Sequence, residues 1–182
     1  MNRKEFLKDC VCACTCAAAS LRASESTAAA ENKAPEDWRN SFVKQRYGKL
    51  MAILAAEMGE DLLSEALRQQ GSYCASTYPI IQKRKGDMAG YIRELKKDAD
   101  ETITYDSAKG VITVSGPLRS ECVCPFIDAQ TAPKIVCNCS LGWHQYAYET
   151  ILGKKVTVKL KESIVRGGKR CVFEARVLEQ AA

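Results

Sequence analysis

Ten cysteines in a chain of 182 residues put sulfur chemistry first. Cys122-Val123-Cys124 and Cys137-Asn138-Cys139 form two Cys-x-Cys pairs with twelve residues between them. On an extended strand, residues two apart point the same way, so each pair would present both sulfurs to one side. Two such pairs facing each other would supply four thiolates. That is the donor set of a tetrahedral zinc site and, as a second choice, of an iron–sulfur cluster. The spacing is not the Cys-x-x-Cys of the usual zinc knuckle, so the same thiols admit two other fates. They could pair across the two segments as disulfides, because a bridge within one Cys-x-Cys is strained. They could also remain as redox-active thiols.

His144 is the only histidine and follows Cys139 by five residues. It is a candidate fifth ligand or a general base, and the simplest thiol chemistry would pair it with a nucleophilic Cys139 or Cys74. Set against that, a lone histidine beside Trp143 and Tyr146 is often a packed core residue. Cys74 and Cys171 stand singly, and a single buried cysteine acts by default as a small hydrophobe. Both could still line the same pocket. The expected ligand-binding set is therefore Cys74, Trp143, His144, Tyr146, Cys171 and Phe173, with Cys122, Cys124, Cys137 and Cys139 as the metal set.

The elements that must position these residues change period along the chain. From Trp38 the apolar residues Phe42, Val43, Tyr47, Leu50, Met51 and Leu54 fall at helical spacing, and Gly59 ends or kinks that helix. A second helix is expected over residues 60–70 with Gly71 as its C-terminal cap. Asp87 is placed to cap a third, running to Asp98 with Met88, Tyr91, Ile92 and Leu95 inward. The second half reads as sheet. Residues 101–105 and 111–115 flank a turn at 106–110, and a further strand is expected over 118–124. Residues 135–139 lead into a helix over 141–152. Val156, Val158 and Leu160 alternate with Thr157, Lys159 and Lys161, and residues 171–175 return after a glycine turn. Helices over 36–98 and a mostly antiparallel sheet with one embedded helix over 101–177 give an α+β domain spanning 31–182.

The first thirty residues stand apart. Arg3 and Lys4 precede a charge-free stretch from Cys10 to Leu21 and a small-residue zone ending at Ala30, the layout of a signal peptide. Lys4 stands where a twin-arginine signal would carry its second arginine. The expectation is export to the periplasm or cell envelope, with no integral membrane segment after signal removal. The rival reading is an arm whose alternating Cys10, Cys12, Cys14 and Cys16 bind a soft metal. The formal charge of +5 is spread along the chain. Its one dense cluster, Lys83-Arg84-Lys85, is read as a solvated loop, so nucleic acid is not an expected partner. A small molecule is.

The stretch from Cys122 to Val177 resembles a known type of domain. It carries the paired Cys122 and Cys124, then Cys137-Asn138-Cys139-Ser140-Leu141-Gly142-Trp143. It closes on Gly167-Gly168-Lys169-Arg170-Cys171-Val172-Phe173. This is similar to the 4-vinyl reductase type of small-molecule-binding domain, whose ending is a glycine turn followed by Cys-x-Phe. It also resembles L-2-amino-thiazoline-4-carboxylic acid hydrolase-like proteins, which pair such an ending with a helical first half. The resemblance implies a helical layer over an antiparallel sheet and a ligand pocket between them, with cysteines near its mouth. It places Gly168, Cys171 and Phe173 in a final hairpin, and Cys137, Cys139 and Gly142 at a helix entry. The chain departs from the type at Gly168-Lys169, where Gly-Asp is usual. The activity implied by the second likeness is hydrolysis of a small cyclic thia- or aza-carboxylate; a shared fold alone supplies no reaction.

Overall fold

The structure, a computed structural model, describes residues 38–98 and 100–178; the signal-like segment 1–30 lies outside the described residues. Four helices come first: α1 (Trp38–Met58), α2 (Glu60–Ser76), α3 (Pro79–Lys83) and α4 (Met88–Asp98). The hairpin β1 (Thr102–Asp106) and β2 (Val111–Ser115) follows, then α5 (Cys137–Leu152), β3 (Val156–Glu162) and β4 (Val172–Val177). The strands form one antiparallel sheet in the order β1-β2-β4-β3, with the helices packed against it, an α+β architecture. None of the described helices is long and apolar enough to cross a membrane.

Local chemistry sets most of the boundaries. Gly59 takes φ 80° between α1 and α2, a backbone that only glycine adopts without penalty. Asp87 caps α4, its Oδ1 accepting the Gly90 N–H at 2.7 Å. That bond, more than any other influence, holds the Asp87 carboxyl below its ordinary range. Arg84, the centre of the basic cluster, donates to Glu94 at 2.6 Å and to Asp87 at 3.1 Å, so it clips α4 to the loop before it. In the hairpin turn Asp106 Oδ1 accepts the N–H groups of Ala108 and Lys109, each at 3.1 Å.

The strands alternate as half-buried strands must. Cross-strand register places Ile103 opposite Val114, Val114 opposite Phe173, and Phe173 opposite Leu160, an apolar row across the whole sheet. This row and the buried face of α5 (Leu141, Ala147, Tyr148, Ile151) form the main core with Ile81, Met88 and Tyr91. A second core lies on the other side, where Met51 of α1 and Leu63 and Leu67 of α2 meet Ile127, Val136, Cys137 and Val165.

Three expectations are corrected. Gly71 does not cap α2, which runs on to Ser76; it lies buried inside the helix, where a Cβ would collide with the Cys139 carbonyl oxygen. Residues 118–124 form no strand. β2 is already paired on both sides, and Pro117 and Pro125 bracket the segment, removing backbone donors. It is instead tethered by two backbone bonds, Gly116 N–H to Cys171 O at 2.9 Å and Arg119 N–H to Lys169 O at 3.0 Å. Finally, α5 begins at Cys137 rather than Leu141, fed by a 3-10 turn at Lys134–Val136.

The crossing of α2 over α5 depends on two glycines facing opposite ways across it. A Cβ on Gly71 would meet Cys139 backbone, and a Cβ on Gly142 would meet the backbone of Arg68. Neither neighbour can give way, so Gly142→Ala is expected to lower folding stability by about 2 kcal/mol or more in urea denaturation. Gly48→Ala, inside α1 with nothing within 4 Å of the new methyl, should raise stability by about 0.5–1 kcal/mol in the same assay.

Candidate functional site

Helix α5 carries chemistry on two sides. Cys137 and Cys139 lie in its first turn, and two residues along a helix turn the side chain by about 200°, so the two thiols part instead of aligning. The strand argument for a pair of sulfurs on one face therefore fails for this segment. Cys137 is buried, its sulfur 3.1 Å from the hydroxyl of the equally buried Ser163. Cys139, half-buried, joins the second core with Cys122 and Cys124. No side chain caps the N-terminus of α5.

All six cysteines among the described residues are free, and they fall in one electrostatic neighbourhood. Burial pushes the Cys139 thiol up to about 11, and charge on Cys74, Cys124 and Cys122 adds to the rise. Burial also raises Cys122, which feels Cys124, Cys171 and Cys137, and raises Cys124, which feels Cys74. Cys171, raised by burial too, feels Cys137. The phenol of Tyr47 stands among Cys139, Cys124 and Cys74 and is pushed up to about 12, burial again being the largest cause. Cys122, Cys124, Cys139 and Cys171 are thereby held as neutral thiols at physiological pH, soft and polarisable but weakly nucleophilic. Four thiols are the right donors for zinc. Among the described residues, however, no three His, Cys, Asp or Glu side chains stand where they could hold a metal ion together.

Beside the thiols a cleft of about 650 Å³ opens between α1 and residues 120–131. Cys122 and Ile127 are on its wall with Gly48 opposite, and Lys44, Lys49, Glu121 and Asp128 supply its charge.

The other side of α5 faces the sheet. His144 follows Cys139 by five positions, about 140° round the helix, and points into the main core. Its ring centroid lies 4.2 Å from Phe173, 5.1 Å from Trp143 and 5.8 Å from Tyr148, the last nearly parallel at 18°. Desolvation there drives the imidazole down to about 3, so it is neutral. Among the described residues, three buried side-chain atoms lack a hydrogen-bond partner: His144 Nδ1, Tyr148 Oη and Tyr91 Oη. Each such group costs about 1–3 kcal/mol while unpaired. Burial raises both tyrosine hydroxyls, and Glu101 adds to the rise at each.

The expected site residues thus divide between two places. Trp143, His144 and Phe173 come together against the sheet, and the partly buried Tyr146 and Cys171 pack on the same core. Tyr146 also accepts a hydrogen bond from Gln82 at 3.0 Å. Cys74, exposed on α2, belongs with the thiols, where Gln70 donates to its sulfur at 3.5 Å. The sequence marks Tyr47 only as a core position and does not single out Tyr148 or Glu101. For Tyr148 a signal exists, since it follows His144 by four residues and so shares its helix face. Glu149 has a structural role: its Oε1 accepts the Val156 N–H at 3.1 Å, joining the end of α5 to β3.

No protein-family signature matches the chain, and no curated protein sequence matches it. Its fold is similar to that of solved structures. One is subunit 3 of a trafficking protein particle complex from Naegleria fowleri, covalently bound to palmitic acid. That likeness has TM-score 0.50 and 14% identity over 81% of this chain and 99% of the other. Another is the phenol-responsive sensory domain of the transcription activator PoxR with phenol, at TM-score 0.42 and 14% identity over 76% of each chain. A vinyl-4-reductase family protein from Methanocaldococcus jannaschii matches at TM-score 0.35 and 16% identity, over 78% of this chain and 90% of that one. At these identities the likeness is one of fold.

The shifted groups fix how stability should vary with pH. His144 binds a proton between its ordinary 6.5 and about 3 only when unfolded, so its contribution is full above 6.5 and drains away as pH falls through that window. Cys139 loses its proton between 9.0 and about 11 only when unfolded, so its contribution is full below 9.0 and lost as pH rises. Urea titrations from pH 3 to pH 11 should show both limbs, the acid limb flattened in His144→Phe and the alkaline limb in Cys139→Ala.

Proposed function

We propose that this chain is an exported small-molecule-binding domain whose ligand enters the cleft between α1 and residues 120–131 and is met there by the thiols. The observation that carries the reading is the meeting of an open cleft, with Cys122 on its wall, and a neighbourhood of free cysteines behind it. Lys44 and Lys49 offer a carboxylate cationic partners at the mouth, beside the opposing charges of Glu121 and Asp128, and the soft sulfurs and Ile127 receive the rest of the molecule. A protein that shares this fold is covalently bound to palmitic acid, which supports the idea that the fold admits a small ligand. Export rests on the sequence of the first thirty residues.

A second reading is favoured by donor chemistry: zinc held by thiols. Cys122 and Cys124 sit on irregular backbone and could swing towards Cys139, whereas Cys137 is held against Ser163. Bound zinc would supply a Lewis acid or a structural tie. Hydrolysis of a small cyclic thia- or aza-carboxylate through Cys139 and His144 is the weakest reading. The thiol is held protonated, and the imidazole is buried on the other side of the helix against Phe173.

Elemental analysis and thiol counting separate these readings on protein purified under reducing conditions without chelator. The cleft reading expects no metal, six reactive thiols in the mature chain after denaturation, and saturable binding of small carboxylates that falls about tenfold in Lys44→Ala. One equivalent of zinc, lost in Cys122→Ser, would move the assignment to a metal centre. Three disulfides would overturn both.

A further inference from the structure

Helix α1 turns a face to solvent that none of the other described elements covers. Its buried residue, Met51, meets Leu63, Leu67 and Ile127 in the second core. A helix that packs by one side is expected to be polar on the other. The outer side of α1 is not: Trp38 is 66% exposed, Leu50 49%, Phe42 47% and Ile53 46%. Spacings of four, seven and four set Trp38, Phe42, Lys49 and Ile53 in one stripe, about 180° round the helix from Met51. The same arc is cationic. Residues 38–56 carry Arg39, Lys44, Arg46 and Lys49 but no Asp or Glu. Arg39 lies over the Trp38 ring at 5.3 Å and Arg46 over the Phe42 ring at 4.9 Å, and the two rings meet edge to face at 6.2 Å. Neither property serves the fold. Exposed apolar side chains gain little from folding, and a cation in the first turn, Arg39, opposes the helix dipole.

We infer that this face of α1 docks on the surface of an anionic lipid bilayer, where the helix lies flat. Flat docking is the geometry left to it, since no described helix is long and apolar enough to cross a membrane. The sign of the lipid follows from charge complementarity, because a run of cations without a carboxylate is drawn to anionic headgroups. The choice of a bilayer over an acidic protein follows from the mixing of ring and cation within one arc. A protein interface buries an apolar centre and keeps charge to its rim. At a bilayer surface, aromatic rings and the stems of Arg and Lys share one depth while the charged tips reach the headgroups. The two cation–ring pairs hold each guanidinium beside its ring, as that shared depth requires. A second copy fits poorly, because a two-fold crossing at the middle of α1 would set Arg46 and Lys49 against the same two residues of the other copy. The cleft is lined by a different side of the helix, at Ser41, Lys44 and Gly48, with Lys49 at the border, so the inference stands apart from the reading given to the cleft.

The test is co-sedimentation of the full chain with vesicles of phosphatidylcholine, with and without phosphatidylglycerol, beside analytical ultracentrifugation of the protein alone. The chain should bind the phosphatidylglycerol vesicles about tenfold or more tightly than phosphatidylcholine, a preference that shrinks in high salt. Arg46→Ala should weaken that binding about fivefold, as one cation near a charged surface implies. Phe42→Ser and Ile53→Ser should each weaken it about tenfold. Lys85→Ala, which removes a cation outside α1, should leave it unchanged. All four side chains are exposed, so the urea midpoint of each variant should match the parent's and separate lost docking from lost folding. Equal binding to both vesicle types would overturn the inference, as would an equal loss in Lys85→Ala. Binding that survives both Arg46→Ala and Phe42→Ser would overturn it and assign attachment to residues 1–30. Absence of vesicle binding would overturn it too. In that case a dimer dissociated by Phe42→Ser would give the face to a second copy, and binding to polyglutamate would give it to an acidic protein.

Discussion

Two glycines, Gly71 and Gly142, set how closely α2 can lie on α5, and the rest of the molecule is arranged around that contact. Each glycine leaves room for the other helix's backbone, so the two axes approach more nearly than any pair of larger residues would allow. Ser72 adds a hydroxyl that donates to the Gly142 carbonyl at 3.3 Å across the same contact. With α5 held this closely, its resting azimuth about its own axis is set. Cys139 is then held in the second core and His144 in the first, and neither could exchange places without breaking the crossing.

The thiol side shows how crowding tunes chemistry without any catalytic partner. Burial already disfavours a thiolate at Cys139, and charge on Cys74, Cys124 or Cys122 disfavours it further; burial likewise raises Cys122, Cys124 and Cys171. Such a surface suits a soft guest or a metal able to displace the protons, and suits acid–base catalysis poorly. The histidine side is the converse case. Its aromatic packing favours the neutral ring, and the stability gained from Phe173, Trp143 and Tyr148 is accompanied by three polar atoms left unpaired.

Features governed by local chemistry can be read from the sequence. The Asp87 cap, the hairpin turn at residues 106–110 and the alternation of Val156, Val158 and Leu160 each depend on residues within one turn or one strand, and the structure has all three. Gly71 cannot be read correctly, because its glycine is required by a helix seventy residues away and not by its own helix end. The start of α5 is hidden for a related reason. No side chain caps it, and the preceding Ile135-Val136 resembles a strand while forming a 3-10 turn. The cysteine spacing implies a geometry the structure does not have at Cys137 and Cys139, since Cys-x-Cys aligns sulfurs only on extended backbone. The gathering of Cys74, Cys122, Cys124, Cys139 and Tyr47 depends on tertiary packing, which no spacing rule contains.

Because α5 is the wall between the thiol neighbourhood and the aromatic packing around His144, the two are mechanically one object. A small rotation of the helix about its axis would carry Cys139 and His144 in opposite lateral directions, widening one side as it narrows the other. Any occupant that stabilises one azimuth of α5 therefore changes the free energy of occupying the opposite side, and thermodynamic reciprocity makes the effect equal in both directions. The two glycines are the bearing on which that axle would turn, and their tolerance for movement sets the size of the coupling.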